Sequence, residues 1–579
     1  MRVLWLLTVA LLLATAIWGR LVYWQVLEHS RLASAAQAQY TQHVVLPAQR
    51  GRIFDRNMRP LAVNTTAYSV FVSPQYVQTG QRAAVAQGLT SVLGLPLGQV
   101  TATLESGKAF AYVAHREPQA VADRLRRLAL PGVGLEPDQQ RSYLPGGESG
   151  ASLAANLLGF VNSSGTGLYG VEQRYDAQLA GRPGSSSTYT DQAGNQVVLG
   201  AGVHRDAVNG ADLTLTLDSN IEYAAEQALE AGVKAAHAVS GSVLIMDPAT
   251  GGIVASADYP SYNANQYYST DVSRFLDDTV SYQYEPGSVM KVVTLGGALD
   301  AHAITPQTTI NDPGVISVGG YAIHDWDFQS HGTVTMTQVL EESLNVGAIR
   351  AMMAEGPQTY YHYLQAFGFG RPSGVDVAAE SSTPLRPYPD WRPSNFATAS
   401  FGQGVAVNME QMLAAVNVIA DNGRYAQPHV VADVGGRPAA AAERPQRQVI
   451  SPQAAAQMKW MMTQVVQHGS GWKSCISGFQ LDEAGKTGTS NIPVNGKYTG
   501  DVWASYVGFM PASHPRFTML VVIRKPHNGS NDHNEGYYVA APVWKQIAQD
   551  IILQWRITPQ GTSPGPGAVS SGCHSSVSG

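Results

Sequence analysis

At 579 residues the chain exceeds what one ordinary core can bury, so two or three domains are expected. Its 44% hydrophobic content is that of a folded protein, while the charged share is only 14% against a usual value of about 25%. The net charge of -6 argues against a general nucleic-acid binder.

The N-terminus reads Met1-Arg2 and then an uncharged run from Val3 to Trp18. Sixteen helical residues span roughly 24 Å, short of a ~30 Å hydrocarbon core. Apolar character resumes at Leu21-Val22-Tyr23-Trp24, so a helix to Trp24 crosses, with Arg20 snorkelling beside an aromatic belt. A cleaved signal peptide with Ala14-Thr15-Ala16 as its site is the competing reading. The short n-region and the apolar residues beyond that site favour an uncleaved anchor, residues 1–26, holding one exported body.

From about Leu27 to Ala38 a helix leaves the membrane. Arg50-Gly51-Arg52-Ile53-Phe54-Asp55-Arg56-Asn57 packs charge around a glycine turn, and Ala67 to Val72 alternates as a strand. Residues 80 to 130 hold helical pieces divided by Gly and Pro, and Gly181 to Ser187 is loop by composition. This gives a non-catalytic α/β region over 27–211. The texture changes near Asp212. Leu213 to Leu217 is a strand, and Asp218 or Ser219 caps a helix through about Ala238. Ser242 to Met246 and Ile253 to Ala257 form a hairpin, and Ala504 to Met510 and Phe517 to Arg524 are later strands. A last helix is expected to start near Pro542. The second half, 212–557, is therefore a sheet with helices on it, and 558–579 is a Gly/Ser/Pro-rich tail expected to be disordered.

Two cysteines occur, Cys475 and Cys573, without metal-ligand spacing, which excludes a thiolate zinc site. An oxidising compartment permits a bond between them, but Cys573 lies in the tail and unpaired thiols are the expectation. His527, Asp532, His533 and Glu535 share one polar loop, lack i, i+4 spacing on a helix, and read as solvated rather than as a metal site. His324-Asp325 and His331-Gly332 read as structural turns, and no metal or cofactor is expected.

Three strings in the second half carry chemistry. Ser288-Val289-Met290-Lys291 opens an apolar helix, so Ser288 sits at its N-terminus, where free N–H groups favour developing negative charge. Lys291 at i+3 shares its face, and a desolvated lysine near other cations has a lowered pKa and can accept the serine proton. Taken alone, the string fits a solvated lysine beside an N-capping serine better than it fits a catalytic pair. Ser343-Leu344-Asn345 in a turn lets both polar side chains face a cleft: Ser343 can relay a proton to a leaving amine, and Asn345 can bond Lys291 and a substrate amide. Lys486-Thr487-Gly488-Thr489 reads as a strand. Lys486 can hold a carboxylate there, and Gly488 lets a substrate backbone lie close. The N–H groups of Ser288 and Thr489 can form an oxyanion hole. The equipment is that of acyl transfer through a serine ester.

These three strings in this order are the signature of penicillin-binding proteins and class A β-lactamases. Tyr284-Glu285-Pro286-Gly287-Ser288 resembles the nucleophile segment of class B penicillin-binding proteins. Arg50-Gly51 with Asp55-Arg56-Asn57, and Gly170-Val171-Glu172 with Tyr175-Asp176, resemble motifs of that class's pedestal. The resemblance implies a penicillin-binding, serine β-lactamase-like α+β domain with a mixed sheet flanked by helices, after one transmembrane helix and a pedestal. It implies a D,D-transpeptidase that cross-links peptidoglycan stem pentapeptides through a Ser288 acyl-enzyme, releases the terminal D-Ala, and is acylated by β-lactams. Lys291, Ser343, Asn345 and Lys486 would be catalytic, and Thr487, Gly488 and Thr489 would bind substrate. Leu344 stands where many members carry serine. Trp503-Ala504-Ser505-Tyr506-Val507-Gly508-Phe509-Met510-Pro511 is more similar to division-type than elongation-type enzymes. Either type implies a glycosyltransferase partner of the SEDS family and a catalytic domain outside the cytoplasmic membrane. The alternatives are an elongation-type enzyme of the same class, or a β-lactam sensor or inactive scaffold.

Overall fold

The computed structural model describes residues 1–189, 204–440, 446–479, 482–527 and 533–558. It packs as two units, Met1–Gly51 with Ala180–Ala211, and Arg52–Leu179 with Asp212–Gly579. In the first, an α-helix over Arg2–Val22 runs on through a π-helical turn, Tyr23–Leu27. Together they form one 26-residue span long and apolar enough to cross a membrane. The Arg20 guanidinium lies over the Trp24 ring at 5.8 Å, the arrangement expected of a snorkelling cation at an aromatic belt. A second helix follows over His29–Tyr40. Strand Thr41–Leu46 pairs antiparallel with Gly184–Tyr189. That pairing overrides local composition, which had marked Gly181 to Ser187 as loop.

The second unit begins with a mixed sheet. Its long strand Pro60–Val72 extends the expected Ala67 to Val72 toward the N-terminus and pairs with Ala111–Pro118, Val133–Tyr143 and Ile53–Phe54. Ile53–Phe54 in turn runs parallel to Leu213–Leu215. The polar motifs of this region act as clamps. Asp55 is fully buried and accepts from the Asn57 and Arg59 N–H groups, both at 2.8 Å, and from the Ser219 hydroxyl at 2.6 Å. Glu172 is likewise buried, paired with Arg141 at 2.8 Å and accepting from the Tyr143 hydroxyl at 3.2 Å. The Tyr175 hydroxyl donates to Asp376 at 2.6 Å, and Asp376 also accepts from Val430 N–H. Paired and hydrogen-bonded carboxylates of this kind fix register, because breaking one leaves a charge buried alone.

The remaining elements needed below are, in chain order, α1 (Ser219–Ala235), β1 (Ser240–Met246), β2 (Ile253–Tyr259), α2 (Lys291–Asp300), α3 (Asn345–Glu355), α4 (Met409–Ala420), α5 (Pro452–His468), β3 (Ala484–Val494), β4 (Lys497–Met510), β5 (Phe517–Arg524) and α6 (Gly536–Trp555). Asp218 caps α1 by accepting from Asn220 N–H. The strands order β2-β1-β5-β4-β3 and pair antiparallel throughout. Period-two alternation splits their side chains between two cores. Val243, Ile245, Tyr506, Met519 and Val521 pack with α1 and α6 on one face. Leu244, Met246, Val507, Phe509 and Leu520 pack with α2 and α4 on the other. The fold is thus α+β, and β3 is left as the edge strand on which a cleft can be built.

Helix α6 corrects one expectation. It starts at Gly536, and Pro542 lies inside it. A Cβ at Gly536 would stand 2.2 Å from Ser505 O and 2.5 Å from Gly488 O, so glycine lets the helix begin directly against β3 and β4. The buried Trp544 indole then donates to Met519 O at 3.1 Å. The apolar contacts of α6 outweigh the one backbone hydrogen bond that Pro542 removes. A second correction concerns Cys475, which is disulfide-bonded rather than free. Cys573 and the tail from residue 559, like Asp532 of the polar loop, lie outside the described residues.

Candidate active site

Ser288 stands in a short 3-10 turn, Gly287–Met290, that feeds into α2. Gly287 has φ +56°, and a Cβ there would lie 2.6 Å from Thr489 O, so the nucleophile segment crosses β3 at a distance only glycine allows. The Ser490 hydroxyl donates to Glu285 O at 2.5 Å and ties the same crossing. The expected helical spacing brings Lys291 Nζ to 3.2 Å from Ser288 Oγ.

The Lys291 side chain is fully buried, and its surroundings define its chemistry. Nζ donates to the Ser343 carbonyl and, at 2.9 Å, to Asn345 Oδ1. A neutral amine has two N–H donors, and these two acceptors use both. Its lone pair can then accept from a neighbouring hydroxyl, Ser288 Oγ at 3.2 Å or Ser343 Oγ at 3.3 Å. Burial holds the Lys291 pKa well below its ordinary value; the Lys486 charge adds to this, and Asp325 and Asp312 oppose it.

Ser343 bridges the two lysines. Its Oγ lies 3.3 Å from Lys291 Nζ and accepts from Lys486 Nζ at 2.9 Å. Its φ of +62° is left-handed, a conformation that costs a non-glycine residue on the order of 1 kcal/mol and turns the hydroxyl inward. Lys486, also fully buried, donates further to Thr487 O at 3.0 Å and Thr487 Oγ1 at 3.3 Å. Burial lowers its pKa to about 7. The expected Ser343 turn, the Lys486 strand and the Ser288 helix start therefore converge in one chain of contacts.

Two residues absent from the expected set complete the site. Asp325 is buried and accepts from Asn345 N–H and, at 3.0 Å, from Val346 N–H, capping α3 from outside its own sequence. Leu344, which precedes α3, has no side-chain oxygen to offer, and that missing cap is the signal sequence inspection could have used. Asp312 is buried beside Asp325, and desolvation together with its neighbour raises its pKa to about 6. Gly488 also plays a part not foreseen. A Cβ there would meet Ser505 Oγ at 2.4 Å, Val289 Cγ2 at 2.8 Å and Pro286 O at 2.9 Å, so the protein itself fills the space that a side chain would need. Thr487 Oγ1 lies 3.0 Å from Ser470 Oγ, and Thr489 is exposed.

A family description, the penicillin binding protein transpeptidase domain, matches residues 241–549, which contain all of these groups. The chain belongs to the penicillin-binding proteins. A second description, the penicillin-binding protein dimerisation domain, matches residues 45–215. Penicillin-binding protein PbpB of Mycolicibacterium smegmatis is 31% identical, over 93% of this chain and 87% of that protein. Peptidoglycan D,D-transpeptidase FtsI of Escherichia coli K12 is 28% identical, over 97% of this chain and 93% of its own length. Among solved structures, penicillin binding protein 3 of Mycobacterium tuberculosis in complex with aztreonam superposes with a TM-score of 0.68 at 25% identity, covering 90% of this chain and 98% of that one. This penicillin-binding protein thus carries both the catalytic domain and the N-terminal domain of its class.

Proposed function

We propose that this chain is a peptidoglycan D,D-transpeptidase whose nucleophile is Ser288. The observation that carries the reading is the buried Lys291 amine, held by Ser343 O and Asn345 Oδ1 with Nζ 3.2 Å from Ser288 Oγ. Lys291 takes the serine proton as Oγ attacks the carbonyl of the penultimate D-Ala. The Ser288 and Thr489 N–H groups receive the oxyanion, and each such donor is worth about 10²–10³ in rate. Lys486 holds the terminal carboxylate beside Thr487, Gly488 and Thr489. Ser343, between the two lysines, passes the proton to the departing D-Ala amine. An amine from a neighbouring stem then takes the acyl group. β-Lactams acylate the same serine.

The domain limits follow as anchor 1–26, pedestal 27–211 and catalytic domain 212–557. The similarity to FtsI favours a division role, with a SEDS-family glycosyltransferase as membrane partner and the catalytic domain on the extracytoplasmic side. Labelled penicillin should attach to the wild type and fail to attach to Ser288→Ala; full labelling of that variant would overturn the assignment. With a pentapeptide donor and an acceptor amine, D-Ala release without cross-linked dimer would sink the transpeptidase claim. A fluorescent fusion in dividing cells decides the septal role, and protease protection of intact spheroplasts decides the orientation.

A further inference from the structure

Beside the catalytic cleft lies a second recess of about 610 Å³, walled chiefly by Tyr321, Ile323, Arg386, Asp390, Arg392 and Asn395, with Thr398 at its inner end. One wall is the hairpin Val315–Val318 and Tyr321–His324, whose two-residue turn is Gly319-Gly320 with both φ values positive. The other wall is the helix Pro393–Ala399 and the loop before it. Both walls run directly into the active site. Ile323 precedes His324, whose carbonyl accepts from Asn345 Nδ2 at 3.0 Å. Thr398 O accepts from Gln403 N–H, and the adjoining Gly402 O accepts from Gly287 N–H at 3.2 Å, next to the nucleophile.

The two guanidiniums are presented on pinned backbone. Arg386 O accepts from the Tyr361 hydroxyl at 2.8 Å and from the Trp391 indole at 2.9 Å, while Arg392 N–H donates to Asn395 Oδ1 at 3.0 Å. Neither side chain forms an ion pair among the described residues. Two exposed arginines against the single carboxylate of Asp390, with which neither forms an ion pair, leave the recess cationic toward an external carboxylate.

The stem peptide can supply one. Ser288 acylates its fourth residue. Residue three then lies roughly 3.5 Å further along an extended chain, and residue two beyond it. The second residue is γ-linked and keeps its α-carboxylate free, and the third is a diamino acid that in some stems carries a free carboxylate as well. We propose that Arg386 and Arg392 form a subsite for a free carboxylate of the stem peptide upstream of the scissile bond. The subsite makes the enzyme prefer an unamidated donor. This inference rests on the transpeptidase reading given above.

The test uses the full-length protein in detergent and pentapeptide donors with both carboxylates free, with only the second residue amidated, or with only the third amidated. D-Ala release gives kcat/KM for each donor. In the wild type, amidation at one position is expected to lower kcat/KM about tenfold or more, chiefly through KM, the scale of a lost charge-assisted contact. The position that responds identifies the carboxylate. In Arg386→Ala/Arg392→Ala the ratio of free to amidated donor should fall to about one. Each variant is its own reference, so a partial loss of folded enzyme cancels. If that variant is inactive, Arg386→Gln/Arg392→Gln is measured in its place and its ratio decides in the same way. Equal rates with all donors in the wild type, or a preference that survives removal of both arginines, overturns the subsite. Penicillin labelling at Ser288 in the wild type tests the transpeptidase reading separately.

Discussion

Asp325 accepts the backbone N–H of Asn345, and with its second bond from Val346 N–H it sets the position of the Ser343-Leu344-Asn345 turn. The Asn345 side chain at this turn donates to His324 O and accepts from Lys291, so a shift of the α3 N-terminus moves Lys291, the proposed general base. Asp325→Ala should lose the cap, worth about 1 kcal/mol in stability, and slow penicillin acylation by roughly tenfold to a hundredfold through misplacement of Lys291's acceptors. Asp325→Asn keeps an acceptor oxygen and should recover most of that rate. Stopped-flow acylation of the two variants checks this. Equal defects in both would mean that the charge, rather than the cap, matters.

The two lysines predict a pH profile. Under the proposed mechanism acylation needs Lys291 neutral and Lys486 charged. Burial lowers the Lys291 pKa and so extends the range in which it is neutral, while the rate falls as Lys486 loses its proton, with a pKa of about 7 in the free enzyme. An arginine at the second position stays charged across this range. The second-order rate constant for a fluorescent penicillin, followed from pH 5.5 to 9.5, should show a falling limb near neutrality in the wild type and none in Lys486→Arg. A limb unchanged in the variant would assign it to another group.

Much of this site was legible in the sequence, because its spacing is local. Ser288 and Lys291 are one helical turn apart, and the αL turn at Ser343 and the strand at Lys486 each present their groups through two or three residues. Asp325 and Asp312 were not legible, since they reach Lys291 only when the hairpin before α3 folds back on the cleft. The start of α6 was misplaced for a similar reason. Pro542 is a good first helical residue, but the contact that decides the start is Gly536 against Ser505 and Gly488, which lie far away in sequence.

Gly488 shows how a residue assigned to substrate can be held by the fold. In Gly488→Ala the new Cβ collides with Ser505 Oγ, Val289 and Pro286 O, and the last two belong to the nucleophile segment. Overpacking at that point costs typically 1–3 kcal/mol, and a displacement of about 1 Å at the nucleophile lowers the rate on the order of a hundredfold. Ser505→Ala removes one of the three collisions and should not restore acylation in the double variant. Rapid-quench labelling measures both. Wild-type rates in Gly488→Ala would show that β3 and the nucleophile segment separate freely.

Glu355 offers a test of stability apart from catalysis. It ends α3, is buried, and neither carboxyl oxygen has a hydrogen-bond partner among the described residues. Burial raises its pKa to about 9. In the unfolded chain the group ionises near its ordinary value of about 4.3. Below that pH both states are protonated and Glu355 costs nothing by ionisation. Above it the unfolded state gains a charge that the folded state resists, and stability falls by about 1.4 kcal/mol per pH unit until the folded group ionises near pH 9. Glu355→Gln keeps the shape without the titration. It should melt close to the wild type at pH 4.5 and several degrees higher at pH 8, with the gap widening steadily between. Calorimetry at four or five pH values measures the gap, and a difference that does not grow with pH would show that Glu355 is ionised and paired in the folded protein.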